Sequence, residues 1–250
     1  MLATSKRWFD LSDAAFAPRL STVRHALYLL FSEGYHGASE SAVRVELCHE
    51  SLRLTALLLE YPPAATPTTF ALAALMCLHA ARLPARVDAA GDLNALVDQD
   101  RTRWDAELIA EGLALLERSA SGHELTVYHL EAAIAAVHAG APTVATTDWA
   151  SIVSLYDRLL ALQGSPVVAL NRAIAIGERD GPEAGLAALH GIFNRERLAR
   201  YPFYEAALGE LERRRGHPEV ARRHLTAALG LARNDAERRF LERRLRALDS

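Results

Sequence analysis

Lysine is almost absent from this chain: Lys6 is the only one among 28 basic residues, and the rest are arginine. Against them stand 31 acidic residues, giving a formal net charge of -3, so no uniformly cationic surface exists to wrap nucleic acid or coat an anionic membrane. Cysteine is nearly as scarce. Cys48 and Cys77 both lie inside apolar stretches, which excludes a disulfide framework and a cysteine-rich zinc site. The longest apolar run, Phe70 to Leu78, is extended only by His79 and two alanines before Arg82. A membrane-spanning helix needs about 20 such residues, so no membrane span or membrane partner is expected. The first ten residues hold two basic residues and an early acid without an apolar segment behind them, so no export signal is expected and the chain reads as cytoplasmic. Glycine and proline number only 14 and 10 in 250 residues. With few helix breakers and few β-branched runs, strands have little to form from.

What the chain has instead is alanine and leucine, roughly a third of all residues. The expected fold class is all-α. A first helix begins near Pro18 to Ser21, carries Leu20, Val23, Leu27, Leu30 and Phe31 at helical spacing, and is expected to stop at Gly34. A second runs from about Ser39 to Tyr61, where Pro62 and Pro63 forbid its continuation. The third, Pro67 to Arg82, is apolar most of the way round and therefore belongs in the middle of the molecule. Residues 83–103 break the pattern with a Gly91-Asp92 turn between short alternating segments, which reads as a long loop or small hairpin. Helices resume over Trp104–Ala120, Leu125–Ala139 and, after a Thr147-Asp148 cap, Trp149–Leu162.

From Ser165 onward the pattern becomes repetitive. Proline opens one helix after another at Pro166, Pro182, Pro202 and Pro218. The segments Pro182 to Leu189 and Pro218 to Leu225 align at a period of about 36 residues, close to that of tetratricopeptide repeats. Small residues Gly185 and Ala221 let paired helices approach, Leu189 and Leu225 fill the space between pairs, and Asp235–Leu248 reads as a capping helix with an arginine-rich outer face. The architecture expected is a helical bundle running into tetratricopeptide-like antiparallel helix pairs, an α-solenoid. Residues 1–17 would be a linker, 18–163 the bundle with its inserted loop 83–103, and 164–250 the helix pairs with their cap, continuous with the bundle.

Catalytic machinery is not visible. There is no His-Glu-x-x-His, no phosphate-binding glycine loop and no Gly-x-Ser-x-Gly elbow, so neither an enzyme, nor a metal, nor a cofactor is expected. His49, His79 and His138 lie within apolar helices and read as core or groove histidines. Two groups of residues are candidates for binding. Arg86, Asp98, Asp100, Arg101 and Trp104 concentrate charge beside an aromatic; they would pin the loop to the bundle by ion pairs or else line a pocket for a small polar ligand or peptide. Asn171 and Arg172 would either brace adjacent helices or face the concave groove of the helix pairs, with Tyr204 on the same side. The arginines crowding the C-terminus interleave with Glu210, Glu212, Glu219, Glu237 and Glu242, which favours surface ion pairs one helical turn apart over direct nucleic-acid binding.

Several segments resemble a known family in order and content. Ala26–Tyr35, Ala85–Asp88 with Asp98–Asp105, Leu130–His138, Ser165–Ala173 and Ala236–Leu245 look like the long C-terminal extension of a subgroup of extracytoplasmic-function sigma factors of RNA polymerase. The resemblance covers nearly the whole chain from Phe9, and Asp98–Asp105 is its most specific part. It implies a helical, tetratricopeptide-like domain needed for sigma activity or its control, with the sigma core or another RNA polymerase-associated protein as partner. The two promoter-reading domains that precede such an extension have no counterpart within these residues, so promoter recognition carries over to none of them. A free-standing scaffold and a small-molecule sensor are the alternative readings of the same fold.

Overall fold

The computed structural model describes residues 16–36, 43–88 and 92–249. Within them the chain is all-helical, with twelve α-helices and no strand beyond one isolated bridge. The helices are α1 Leu20–His36, α2 Val45–Glu60, α3 Pro67–Ala80, α4 Leu83–Arg86, α5 Ala106–Ser119, α6 Val127–Gly140, α7 Trp149–Leu162, α8 Pro166–Asp180, α9 Pro182–His190, α10 Pro202–Arg214, α11 Pro218–Gly230 and α12 Asp235–Arg246. None is long and apolar enough to cross a membrane.

Local chemistry sets most of these ends. Proline occupies the first turn of α3, α8, α9, α10 and α11, where its missing N–H costs no helical hydrogen bond. Side-chain oxygens of Thr66, Asp105, Asp148 and Asn234 accept from the free N–H groups of α3, α5, α7 and α12. Gly34 does not end α1 as expected. It sits inside the helix because α2 crosses there: a Cβ would lie 2.9 Å from the Arg44 carbonyl and the Cys48 nitrogen, so only glycine fits without displacement. The expected linker 1–17 lies outside the described residues up to position 15, and Phe16 already packs edge-on against Tyr61.

α3 is the hub. Twelve of its fourteen residues are buried, and it packs against α2, α5 and α6. From α6 onward each helix packs on its predecessor, through the antiparallel pairs α8/α9 and α10/α11 to the capping α12. One apolar cluster runs Leu130, Ile134, Ile152, Leu159, Val168 and Ile176, so α6, α7 and α8 share a core across position 163. Residues 83–103 form α4, a small hairpin and two 3-10 turns. Val87 bridges Leu93 antiparallel, and Asp88 N–H donates to the Asp92 carbonyl at 2.9 Å; the tip at 89–91, with Gly91, lies outside the described residues.

The superhelix curls until its two ends meet. Arg239, Arg243 and Arg244 of α12 reach Asp92, Asp88 and Asp98 of the hairpin segment. These three arginines were expected to pair with glutamates one turn away. Arg213 with Glu210 and Arg233 with Glu237 do so, whereas α12 spends its outer arginines on the loop and thereby closes a ring around a central chamber.

Candidate functional site

The chamber has a volume of about 660 Å³, within the range of small-molecule sites. Its walls are the inward faces of α1, α3, α6, α7 and α8, closed at one end by the starts of α10 and α12. Helical phase selects the residues. Tyr28, Phe31, Ser32 and Tyr35 fall on one face of α1; His79, Arg82 and Arg86 follow one another at the end of α3 and through α4; Glu131, Ile134, Ala135 and His138 line up along α6.

One wall is cationic and lacks acids. The Arg82 side chain is buried, the residue being 7% exposed, between the rings of Tyr35 and Trp104, whose centroids lie 6.0 and 5.6 Å from its guanidinium carbon. Arg86 lies 4.0 Å over the Tyr35 ring. It donates from Nε to the Tyr35 carbonyl at 3.1 Å and from a terminal nitrogen to His36 Nδ1 at 3.0 Å. Because arginine can only donate, His36 accepts through Nδ1 and its ring proton sits on Nε2. Burial, then the nearby Arg86 and Arg82 charges, hold His36 well below the ordinary histidine range; burial and Arg82 do the same to His79. Both shifts favour the neutral ring, and accepting from Arg86 requires it of His36. Burial also lowers Arg86.

Two acids line the chamber: Glu237, held by Arg233 at the α12 end, and Glu131 on the opposite wall. Burial pushes Glu131 up to about 7, offset in part by the Tyr28 hydroxyl, and burial followed by the Glu131 charge raises Tyr156 to about 12. His138 falls to about 3, through burial and then the Arg82 and Arg101 charges. Beyond Tyr156 and Asn171 lies an annex of about 330 Å³, mostly apolar, which shares Leu96, His138, Phe203 and those two residues with the chamber.

The candidates from the sequence are distributed unevenly around this site. Arg86 and Asn171 line the chamber. Trp104 backs it, stacked between Arg82 and Arg101, whose guanidinium lies 5.0 Å from the ring centroid. Arg101 itself points away and caps α6, donating to the His138 and Ala141 carbonyls at 3.0 and 2.6 Å and to Thr147 Oγ1 at 3.2 Å. Asp98 is engaged by Arg244, and Asp100 caps its own turn by accepting from Thr102 N–H at 3.0 Å. These three pin the loop and do not line the chamber. Arg172 pairs with Asp157 of α7 and braces α7 on α8, so it and Asn171 do not share a groove. Tyr204 is buried in the cluster with Leu170, Leu198 and Leu208; the preceding residue, Phe203, is the one that faces the chamber. His36, Arg82, Glu131 and Tyr156 were not among the candidates. Arg82 stands three residues after His79 and four before Arg86, but it lies in the turn between α3 and α4, so helical spacing alone does not place it.

No cluster of three histidine, cysteine, aspartate or glutamate side chains among the described residues is arranged to hold a metal ion. Burial raises the thiols of Cys48 and Cys77 to about 11 and about 12, so neither is a nucleophile near neutral pH.

Comparison with known proteins adds two similarities. Residues 19–120 match a family described as one of unknown function, DUF6596. That stretch contains the cationic wall of the chamber, from Tyr28 to Arg86, but not Glu131 or Tyr156. A protein of Rhizobium meliloti (strain 1021), named "Uncharacterized protein R00370", is 40% identical over 239 residues, which is 95% of this chain and 56% of the relative. The chain thus spans little more than half the length of that relative. No solved structure matches.

Proposed function

We propose that this chain is a non-catalytic regulatory domain that modulates an extracytoplasmic-function sigma factor by contacting the sigma core or an RNA polymerase-associated protein. The observation that carries the reading is the ordered resemblance of five segments, above all Asp98–Asp105. In the fold this segment is the joint between the two ends of the superhelix, with Asp98 on α12, Arg101 on α6 and Trp104 behind the chamber. A change there would be felt by both ends, as a regulatory domain with two arrangements requires. The length of the R00370 relative beyond the matched part leaves room for one or two further domains, which supports a modular protein. The outer surface offers an anchor for a partner: Phe193, in the loop after α9, is 84% exposed beside Asn194, which holds a left-handed φ of 56°.

A second reading, a small-molecule sensor, is favoured by the chamber itself and is compatible with the first. The primary reading is tested by the source DNA immediately upstream of the Met1 codon. An uninterrupted frame encoding a sigma core is the expected result; a stop codon and a ribosome-binding site directly before Met1 would overturn control in cis.

A further inference from the structure

We infer that the central chamber is a binding site for a small organic anion, its carboxylate or phosphate head held by Arg82 and Arg86 and its apolar body directed past Phe203 into the annex. The inference rests on a charge imbalance that the fold does not correct. Several partly buried arginines have acids: Arg214 meets Glu178 at 2.6 Å, Arg243 meets Asp88 at 2.9 Å, and Arg233 holds Glu237. Arg101, without an acid, directs its guanidinium onto two carbonyls and a hydroxyl. Arg82 and Arg86 meet only aromatic rings, a carbonyl and a neutral histidine, and no carboxylate among the described residues pairs with either. A buried guanidinium stays charged, and leaving it uncompensated is destabilising, so its retention calls for a counter-charge that the described residues do not supply.

The surroundings agree with an anion that enters and leaves. Above about pH 7, where it is ionised, Glu131 on the opposite wall repels a second negative group and so favours the ligand orientation with its head towards α3 and α4. The annex, lined by Trp149, Leu225 and Phe240, supplies apolar surface for the body. The inference holds for the isolated chain whether or not the sigma reading stands.

Isothermal titration of the 250-residue chain with three probes of one skeleton tests it: 4-phenylbutyrate, 4-phenylbutyl phosphate and the neutral 4-phenyl-1-butanol. One-to-one binding of at least one anion, tenfold or more tighter than the alcohol, is the expected result, and the order of the two anions identifies the head group. Arg82→Met removes the uncompensated charge at similar volume. It is expected to melt at or above the parent temperature while losing tenfold or more in anion affinity and leaving the alcohol unchanged. Should Arg82→Met fail to fold, Arg86→Gln carries the same test. No heat with either anion, equal affinity for the alcohol, or undiminished anion binding in the folded variant would overturn the inference.

Discussion

Arg243 in the last helix donates a hydrogen bond to Asp88, 2.9 Å away and 155 residues earlier in the chain. That contact and its neighbours, Arg239 on Asp92 and Arg244 on Asp98, turn an open solenoid into a ring. An unclosed superhelix would leave the chamber a groove; closure supplies its floor. Both Arg243 and Asp88 retain about a third of their side-chain exposure, so the pair is partly screened. A double-mutant cycle with Arg243→Ala and Asp88→Ala, read by urea unfolding, is expected to give a coupling of about 0.5–1 kcal/mol. Arg243→Ala alone should also speed amide exchange at Asp88, whose N–H closes the hairpin. Zero coupling with unchanged exchange would mean that α12 does not hold the hairpin.

Gly177 and Gly185 bring α8 and α9 together backbone to backbone. A Cβ on Gly185 would lie 2.8 Å from Gly177 Cα and 2.9 Å from a methyl of Leu211. Backbone cannot yield as a side-chain end can, so Gly185→Ala is expected to cost about 1–3 kcal/mol in urea unfolding. Gly140→Ala, with no atom within 4 Å of the added methyl, should be neutral or stabilise by less than about 1 kcal/mol. Equal effects at the two positions would contradict the close approach.

Much of this was legible in the sequence. Proline and cap residues marked most helix starts almost to the residue, because they act within one turn; α2, expected from about Ser39, begins at Val45. The burial of α3 followed from its all-round apolarity. Three things were not legible, each for a physical reason. Successive helical residues point about 100° apart, so Asn171 and Arg172 could not share a face, nor could Phe203 and Tyr204. Only the crossing of neighbouring helices decides which member of each pair turns inward. The partners of Arg239, Arg243 and Arg244 lie some 150 residues away, and no local spacing reports a long-range ion pair. Gly34 resembles a helix stop until the second helix is seen crossing it.

The chamber gives the protein a distinctive pH response. In the folded chain His36, His79 and His138 lie below the ordinary histidine value of 6.5, so below that pH the unfolded chain binds more protons and stability falls. Glu131 acts in the other direction. Its folded value of about 7 exceeds the ordinary 4.5, so between these limits the folded chain holds the extra proton and this group's contribution declines as pH rises. Glu131→Gln is therefore expected to stabilise the protein at pH 8.5, by up to about 3 kcal/mol, and to change it little near pH 4.5. Urea unfolding of parent and variant at both values checks this; a pH-independent difference would contradict it.

Phe193 separates folding from partner binding. Its ring is almost wholly exposed, so Phe193→Ala is expected to leave unfolding stability within about 0.5 kcal/mol of the parent. In the proposed role it anchors the partner, and its loss should weaken association with the sigma core by about tenfold or more in titration calorimetry. Unchanged affinity would move the contact elsewhere on the surface.

The central claim is that these helices act on a sigma core. Its most direct test is run-off transcription by RNA polymerase with the full protein read from the source gene, compared with the same protein cut before Pro18. The account predicts that removing the helices changes transcript yield tenfold or more while the polymerase and template stay the same. Equal yield with and without the helical domain would contradict it.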